Sequence, residues 1–130
     1  MASTHSNENI RNHRDLRVWQ VSVELVVLCY RLTGSFPKSE NYGLSSQLQR
    51  AAVSIPANIA EGHGRHTTKA YLSFISIAAG SLSELDTHLE LAVRLNYTTT
   101  DAIDEIRKRT DEVGRMLTRL RCALEHRLSS

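Results

Sequence analysis

Arg50, Glu61 and Glu84 are the side chains of this sequence best suited to proton transfer or anion binding, with His63, His66 and a late series of arginines beside them. Two carboxylates and a guanidinium could serve as acid, base and charge clamp. A bundle of four helices can also hold a di-iron centre. That chemistry needs inward carboxylates and Glu-x-x-His on two helices. Here Glu61 is followed three residues on by Gly64, Glu84 by Thr87 and Glu90 by Val93. His63 and His66 form a lone His-x-x-His across a glycine turn, without the cysteines or carboxylates of a zinc site. No phosphate-cradling glycine loop follows a strand. The expectation is no catalytic residue, no metal, no cofactor and no enzyme.

The same residues have a structural reading, and it is preferred. Gln47, Arg50, Ser54, Asn58, Glu61 and Arg65 recur at helical spacing and define one face. Glu61 and Arg65 stand four apart and can pair. Glu84 and His88, also four apart, can answer from a neighbouring helix, although sequence does not fix an Arg50–Glu84 contact. Arg50, Ser54, Asn58, Glu61 and Glu84 are therefore expected to form a structural polar network. Pro56 lies inside that helix. It removes an amide donor and crowds the carbonyl of Ala52, at roughly 3 kcal/mol. The prediction is a kink, with Ser54 and Asn58 as candidate donors to the freed carbonyl. The alanines on either side (Ala51, Ala52, Ala57, Ala60) predict that the kink is packed.

The formal charge is only +2, but it is unevenly spread. From Arg107 to Arg127 the basic residues outnumber Asp111, Glu112 and Glu125. Arg107, Arg109, Arg115, Arg119 and Arg121, with Arg65 and Lys69 in second place, are the candidate contacts to nucleic-acid phosphates. The alternative is an ordinary solvated helix face.

Apolar spacing of three and four residues places these side chains on four helices. The first runs from about Arg14 to Thr33 with two apolar stripes, one on Leu16, Trp19, Val23, Val26 and Tyr30, the other on Val18, Val21, Leu25, Leu28 and Leu32. One core needs one stripe. The other is expected to meet another copy of the chain; which of the two does so is left open, with Val21, Leu25 and Leu28 nominated for that oligomer interface. The second helix begins near Ser39 to Asn41, carries Leu44, Leu48, Ala52, Ile55 and Ile59, and ends on Gly62 or Gly64 in the left-handed conformation. Thr67 or Thr68 caps the third, whose stripe is Tyr71, Phe74, Ala78, Leu82, Leu85, Leu89 and Ala92. Thr100 caps the fourth, on Ile103, Ile106, Thr110, Val113, Leu117, Leu120 and Leu124. Short connections predict an all-α, antiparallel up-down-up-down four-helix bundle.

The domain is expected over residues 14–128, preceded by a disordered polar arm over 1–13. That arm lacks the apolar stretch of a secretion signal, and no run is long enough to span a membrane. Cys29 and Cys122 are read as buried, reduced thiols, which suits the cytoplasm.

Several strings also carry a family resemblance: Leu16-Arg17-Val18-Trp19-Gln20, Phe36-Pro37-Lys38-Ser39-Glu40-Asn41-Tyr42-Gly43-Leu44, Gln49 to Gly62 with its Ser-Ile-Pro-Ala-Asn-Ile-Ala-Glu-Gly core, and Ala79 to Leu85. The sequence resembles the four-helix-bundle proteins encoded in intervening sequences of bacterial 23S ribosomal RNA genes. That family is similar to the accessory variability determinant of diversity-generating retroelements, a basic pentamer that binds nucleic acid and a reverse transcriptase. The resemblance implies a ring-shaped homopentamer without enzymatic activity. Its implied partners are other copies of the chain and RNA or a nucleic-acid-processing protein. A protein-interaction scaffold is the alternative.

Overall fold

In the computed structural model, residues 10–129 are described. Asn12 opens a short 3-10 turn, His13–Asp15, with a reciprocal capping box: its side chain accepts from the Arg14 amide at 2.8 Å, and Asp15 reaches back to the Arg11 and Asn12 amides. Regular structure thus begins at His13, one residue before the expected start of the domain. The first nine residues of the expected arm lie outside the described residues.

Helix α1 spans Arg17–Thr33. It has no side-chain cap, but the Gln20 amide group donates to the Arg14 carbonyl at 2.9 Å, and Trp19 meets the edge of His13 with ring centroids 5.1 Å apart. A 3-10 turn, Lys38–Glu40, leads to α2, Leu44–His63. Helix α3 spans Thr68–Arg94, capped by Thr67, whose hydroxyl accepts from the Ala70 amide at 3.1 Å. Helix α4 spans Asp104–Ser129. In the turn before it, Thr99 rather than Thr100 takes the capping bond, from Ala102 at 3.1 Å.

No strand occurs among the described residues. Helix α2 packs along α3, α1 lies against α2 and α4, and α4 closes on α3; the backbones of α1 and α3 stay apart across the diagonal, as do those of α2 and α4. The core is formed by the stripes expected on α2 and α4, by the inner part of that on α3, and by Val18, Val21, Leu25 and Cys29 of α1.

That last set corrects the interface assignment. Val21 and Leu25 are fully buried inside their own subunit, and Leu28 is half-buried against the same core. The face turned to solvent carries Val27 and Tyr30, 44 % and 48 % exposed. Both stripes were apolar enough to serve. Ser22 and Cys29 decided the matter by adding small buried positions beside Val21 and Leu25.

The helix ends also differ from expectation. Gly34 and Gly64 cap α1 and α2 in right-handed conformations, with φ of −60° and −79°. The left-handed residue is Asn96 at φ 62°, closing α3, with Tyr97 N–H to Ala92 O at 2.9 Å and Asn96 N–H to Val93 O at 3.0 Å. Gly62 is needed for room: a Cβ there would lie 2.8 Å from Phe74 Cβ and 3.2 Å from the Tyr71 carbonyl.

Candidate functional site

The polar face of α2 is assembled in part. Ser54 and Ser81 join α2 to α3 through hydroxyls 2.8 Å apart, and Asn58 Nδ2 donates to the Ser54 carbonyl at 2.8 Å and its hydroxyl at 2.9 Å. Pro56 is buried within the helix, as the alanines implied, and the helix runs on through it to His63. Asn58 therefore serves the Ser54 carbonyl, not that of Ala52, which the proline leaves without its amide. Glu61 pairs with Arg65 at 2.6 Å, and Arg65 lies over the Phe74 ring with its guanidinium 4.8 Å from the centroid.

Arg50 and Glu84 do not join this network. They line one open cleft of about 300 Å³ with Gln47 and Ala51, yet no ion pair or hydrogen bond connects them. Nor does a carboxylate pair or metal cluster form: among the described residues no group of three or more His, Cys, Asp or Glu could hold a metal ion.

The arginines of α4 divide into two groups. Arg107 donates to Glu90 at 2.8 Å, and Glu90 also accepts from Arg94 at 2.8 Å. Those two guanidiniums, Arg107 first, hold the Glu90 carboxyl below its usual range. Arg109 lies among Glu24, Glu105 and Glu112 at 3.9, 3.5 and 3.3 Å. Both nominated residues are thus occupied in tying α4 to α3 and α1. Arg115, Arg119 and Arg121 make no ion pair among the described residues. Arg115 and Arg119 border a groove of about 910 Å³ between α3 and α4, with Asp86, Asp111, hydroxyls from Ser83, Thr87, Thr110 and Thr118, and Gly114.

A signal the sequence did not reveal is where these basic groups meet in space. His63 lies in the electrostatic reach of Asp15, His63 stacks edge-on to Tyr71 at 5.8 Å, and Arg127 lies in reach of Tyr71. The first turn, the end of α2, the start of α3 and the end of α4 therefore share one end of the bundle. It gathers Arg11, Arg14, Arg65, Lys69, Arg121 and Arg127 against Asp15, Glu61 and Glu125, with Glu61 paired to Arg65 and the nearby Arg17 paired to Glu112. The far end carries Glu40, Glu90, Asp101, Asp104 and Glu105 together with Arg31, Lys38, Arg94, Arg107, Lys108 and Arg109, and is close to neutral. A net charge of +2 conceals this basic end because acids along the rest of the chain offset it.

An all-α, four-helix protein with a basic end is the class that fold and site define among the described residues. The chain belongs to the 23S rRNA-intervening sequence protein family, whose model matches residues 14–119. A crystal structure of a protein of unknown function from the S23 ribosomal protein family of Bacteroides thetaiotaomicron VPI-5482 is similar in fold. It is 24 % identical, with a TM-score of 0.72 over 80 % of this chain and 97 % of that one. No curated protein matches the chain. No helix among the described residues is long and apolar enough to cross a membrane.

Proposed function

We propose that this protein is a non-enzymatic, self-associating bundle of antiparallel helices that binds structured RNA through its basic end. The observation that carries the reading is the convergence of Lys69, Arg121 and Arg127 with Arg11 and Arg14 at one end, where Arg65 also stands, paired with Glu61. Arg115 and Arg119 extend that surface along α4. Phosphates are recognised by such concentrated positive charge, whatever the net charge of the chain. The antiparallel order is supported by the ion pairs between α1 and α4: Arg17 faces Glu112 while Glu24 faces Arg109. Self-association is supported by the outer ridge of α1, where Val27 and Tyr30 lack cover. A ring, as in the pentamers the family resemblance implies, would repeat the basic end around its axis and raise avidity.

Filter binding to a structured RNA at low and moderate salt tests the reading. Affinity should fall steeply as salt rises. No binding at low salt would end it.

The groove between α3 and α4 favours a second reading. It presents both signs of charge, Asp86 and Asp111 with Arg115 and Arg119, above Leu82. Mixed charge around an apolar floor suits a helical protein partner, such as a nucleic-acid enzyme. A partner recovered from cytoplasmic extract after nuclease treatment would support it over RNA.

A further inference from the structure

Four charges in the groove between α3 and α4 stand without partners. The side chains of Asp86, Asp111, Arg115 and Arg119 make neither a hydrogen bond nor an ion pair among the described residues, although Asp111 and Arg115 are four apart on one helix. Just outside the groove the pattern is different: Arg107 pairs with Glu90 and Lys108 with Asp104.

The four are arranged in order along the groove. Arg107 bonds Glu90 across the seam. One turn on along α4 stands Asp111, and one turn back along α3 stands Asp86, so both carboxylates lie at one end. In the middle a Cβ on Gly114 would sit 3.4 Å from Leu82, and Arg115 and Arg119 continue toward the basic end. The threonine hydroxyls beside these charges are already spent as donors. Thr87 donates to the Ser83 carbonyl at 3.0 Å, Thr110 to that of Arg107 at 2.8 Å and Thr118 to that of Gly114 at 3.0 Å. Only lone pairs remain on those oxygens. The carboxylate end therefore offers acceptors, and the arginine end offers donors and positive charge.

We infer that this groove holds the ribose-phosphate backbone of an RNA strand, with phosphates on Arg115 and Arg119 and a ribose 2′-hydroxyl donating to Asp86 or Asp111. The inference rests on the RNA reading above and adds the feature that selects RNA. A ligand that fits must carry anions and, one or two helical turns away, a hydroxyl donor. The 2′-hydroxyl is that donor, and it is what separates RNA from DNA at a binding site. Two free arginines alone would accept either backbone. The aspartates beside them would face a deoxyribose strand with nothing to accept and a phosphate nearby, and unanswered charge of that kind rejects the wrong ligand.

One hairpin sequence, made as RNA and as 2′-fluoro RNA, tests this by filter binding to the full chain at low salt. The fluoro form keeps the A-form helix and every phosphate and loses the hydroxyl donor. Wild-type protein should prefer the RNA hairpin by at least about tenfold, the worth of a hydrogen bond to a charged group. Asp86→Ala combined with Asp111→Ala should bring that ratio down to about one and raise affinity for the fluoro hairpin, since two repelling charges are gone. Both aspartates are exposed, and an unchanged circular dichroism spectrum shows that the variant is folded. If neither hairpin binds, the RNA reading and this inference fall together. Binding without preference by the wild type would overturn this inference alone. So would a preference that the double variant retains, which is the result expected if the groove takes a protein helix instead.

Discussion

Tyr97 Oη donates a 2.8 Å hydrogen bond to Glu40 Oε2, joining the turn before α4 to the turn before α2. The other carboxylate oxygen accepts from the Leu44 amide at 2.9 Å and so closes the start of α2. Phe36 packs beside Tyr97 with ring centroids 5.7 Å apart. One carboxylate thus secures two of the three connections.

The Leu44 amide first, and Tyr97 second, hold the Glu40 carboxyl below its usual range. A carboxyl with a depressed folded-state pKa contributes stability above its unfolded value, about 4.3. That stability is lost as pH falls through the folded value. Tyr97→Phe should therefore lower Tm at neutral pH by a few degrees. The gap to wild type should narrow on acidification below the usual carboxylate range. Thermal melts at neutral and acid pH read both effects; a gap that grows in acid would contradict the assignment.

Gly62 and Gly80 should respond in opposite ways to alanine. At Gly62 the added methyl meets Phe74 Cβ and the backbone of Tyr71 within 3.2 Å, neither of which yields easily. Gly62→Ala should destabilise by about 1–3 kcal/mol, as overpacking does. Gly80→Ala meets nothing within the subunit, so it should raise subunit stability by about 0.5–1 kcal/mol. Urea titration, at a concentration where association is negligible, measures each.

The corrected orientation of α1 is tested by truncation. Leu25→Ala should cost about 2–5 kcal/mol, the range for emptying a core site. Val27→Ala should cost under about 0.5 kcal/mol in the isolated subunit, as exposed positions do. Equal losses would show that the ridge carrying Val27 is buried as well.

The two cysteines were expected to behave alike and do not. Burial pushes the Cys29 thiol up to about 12, whereas Cys122 is exposed. Cys122 follows Arg121 on α4, outside the core stripe that jumps from Leu120 to Leu124. A thiol reagent should modify one site in the native protein at neutral pH and the second only on unfolding. Two fast sites would contradict the core placement of Cys29.

What sequence could and could not reveal follows from the range of each interaction. The α4 stripe from Ile103 to Leu124 is periodic and local, and every member is buried or half-buried. Thr67 as a cap and Glu61–Arg65 as a pair are equally local, and both form. The choice between the two stripes of α1 depended on which neighbours surround it, which periodicity does not encode. Asn96 took the left-handed position expected of a glycine because its short polar side chain tolerates that conformation. The basic end was hidden for a further reason. Its members come from four separate segments, so no window along the chain is as positive as the surface they make together.

The division among the arginines gives the most direct test of the proposed function. Arg107 is held by Glu90 at 2.8 Å, and Arg109 stands among three carboxylates. A guanidinium already neutralised in this way adds little to a phosphate site. Arg115 and Arg119 face solvent without an ion pair, so each can meet a phosphate at no loss of internal contacts. Arg115→Gln combined with Arg119→Gln should weaken RNA binding and reduce the slope of log affinity against log salt by about one to two. Subunit stability should hold within about 0.5 kcal/mol. Arg107→Gln should act in the reverse sense, loosening the α3–α4 junction while leaving the salt slope nearly unchanged. Filter binding across a salt series, with urea titration of the same proteins, separates the two. Equal slopes for both variants would mean that the ion pairs do not partition these residues.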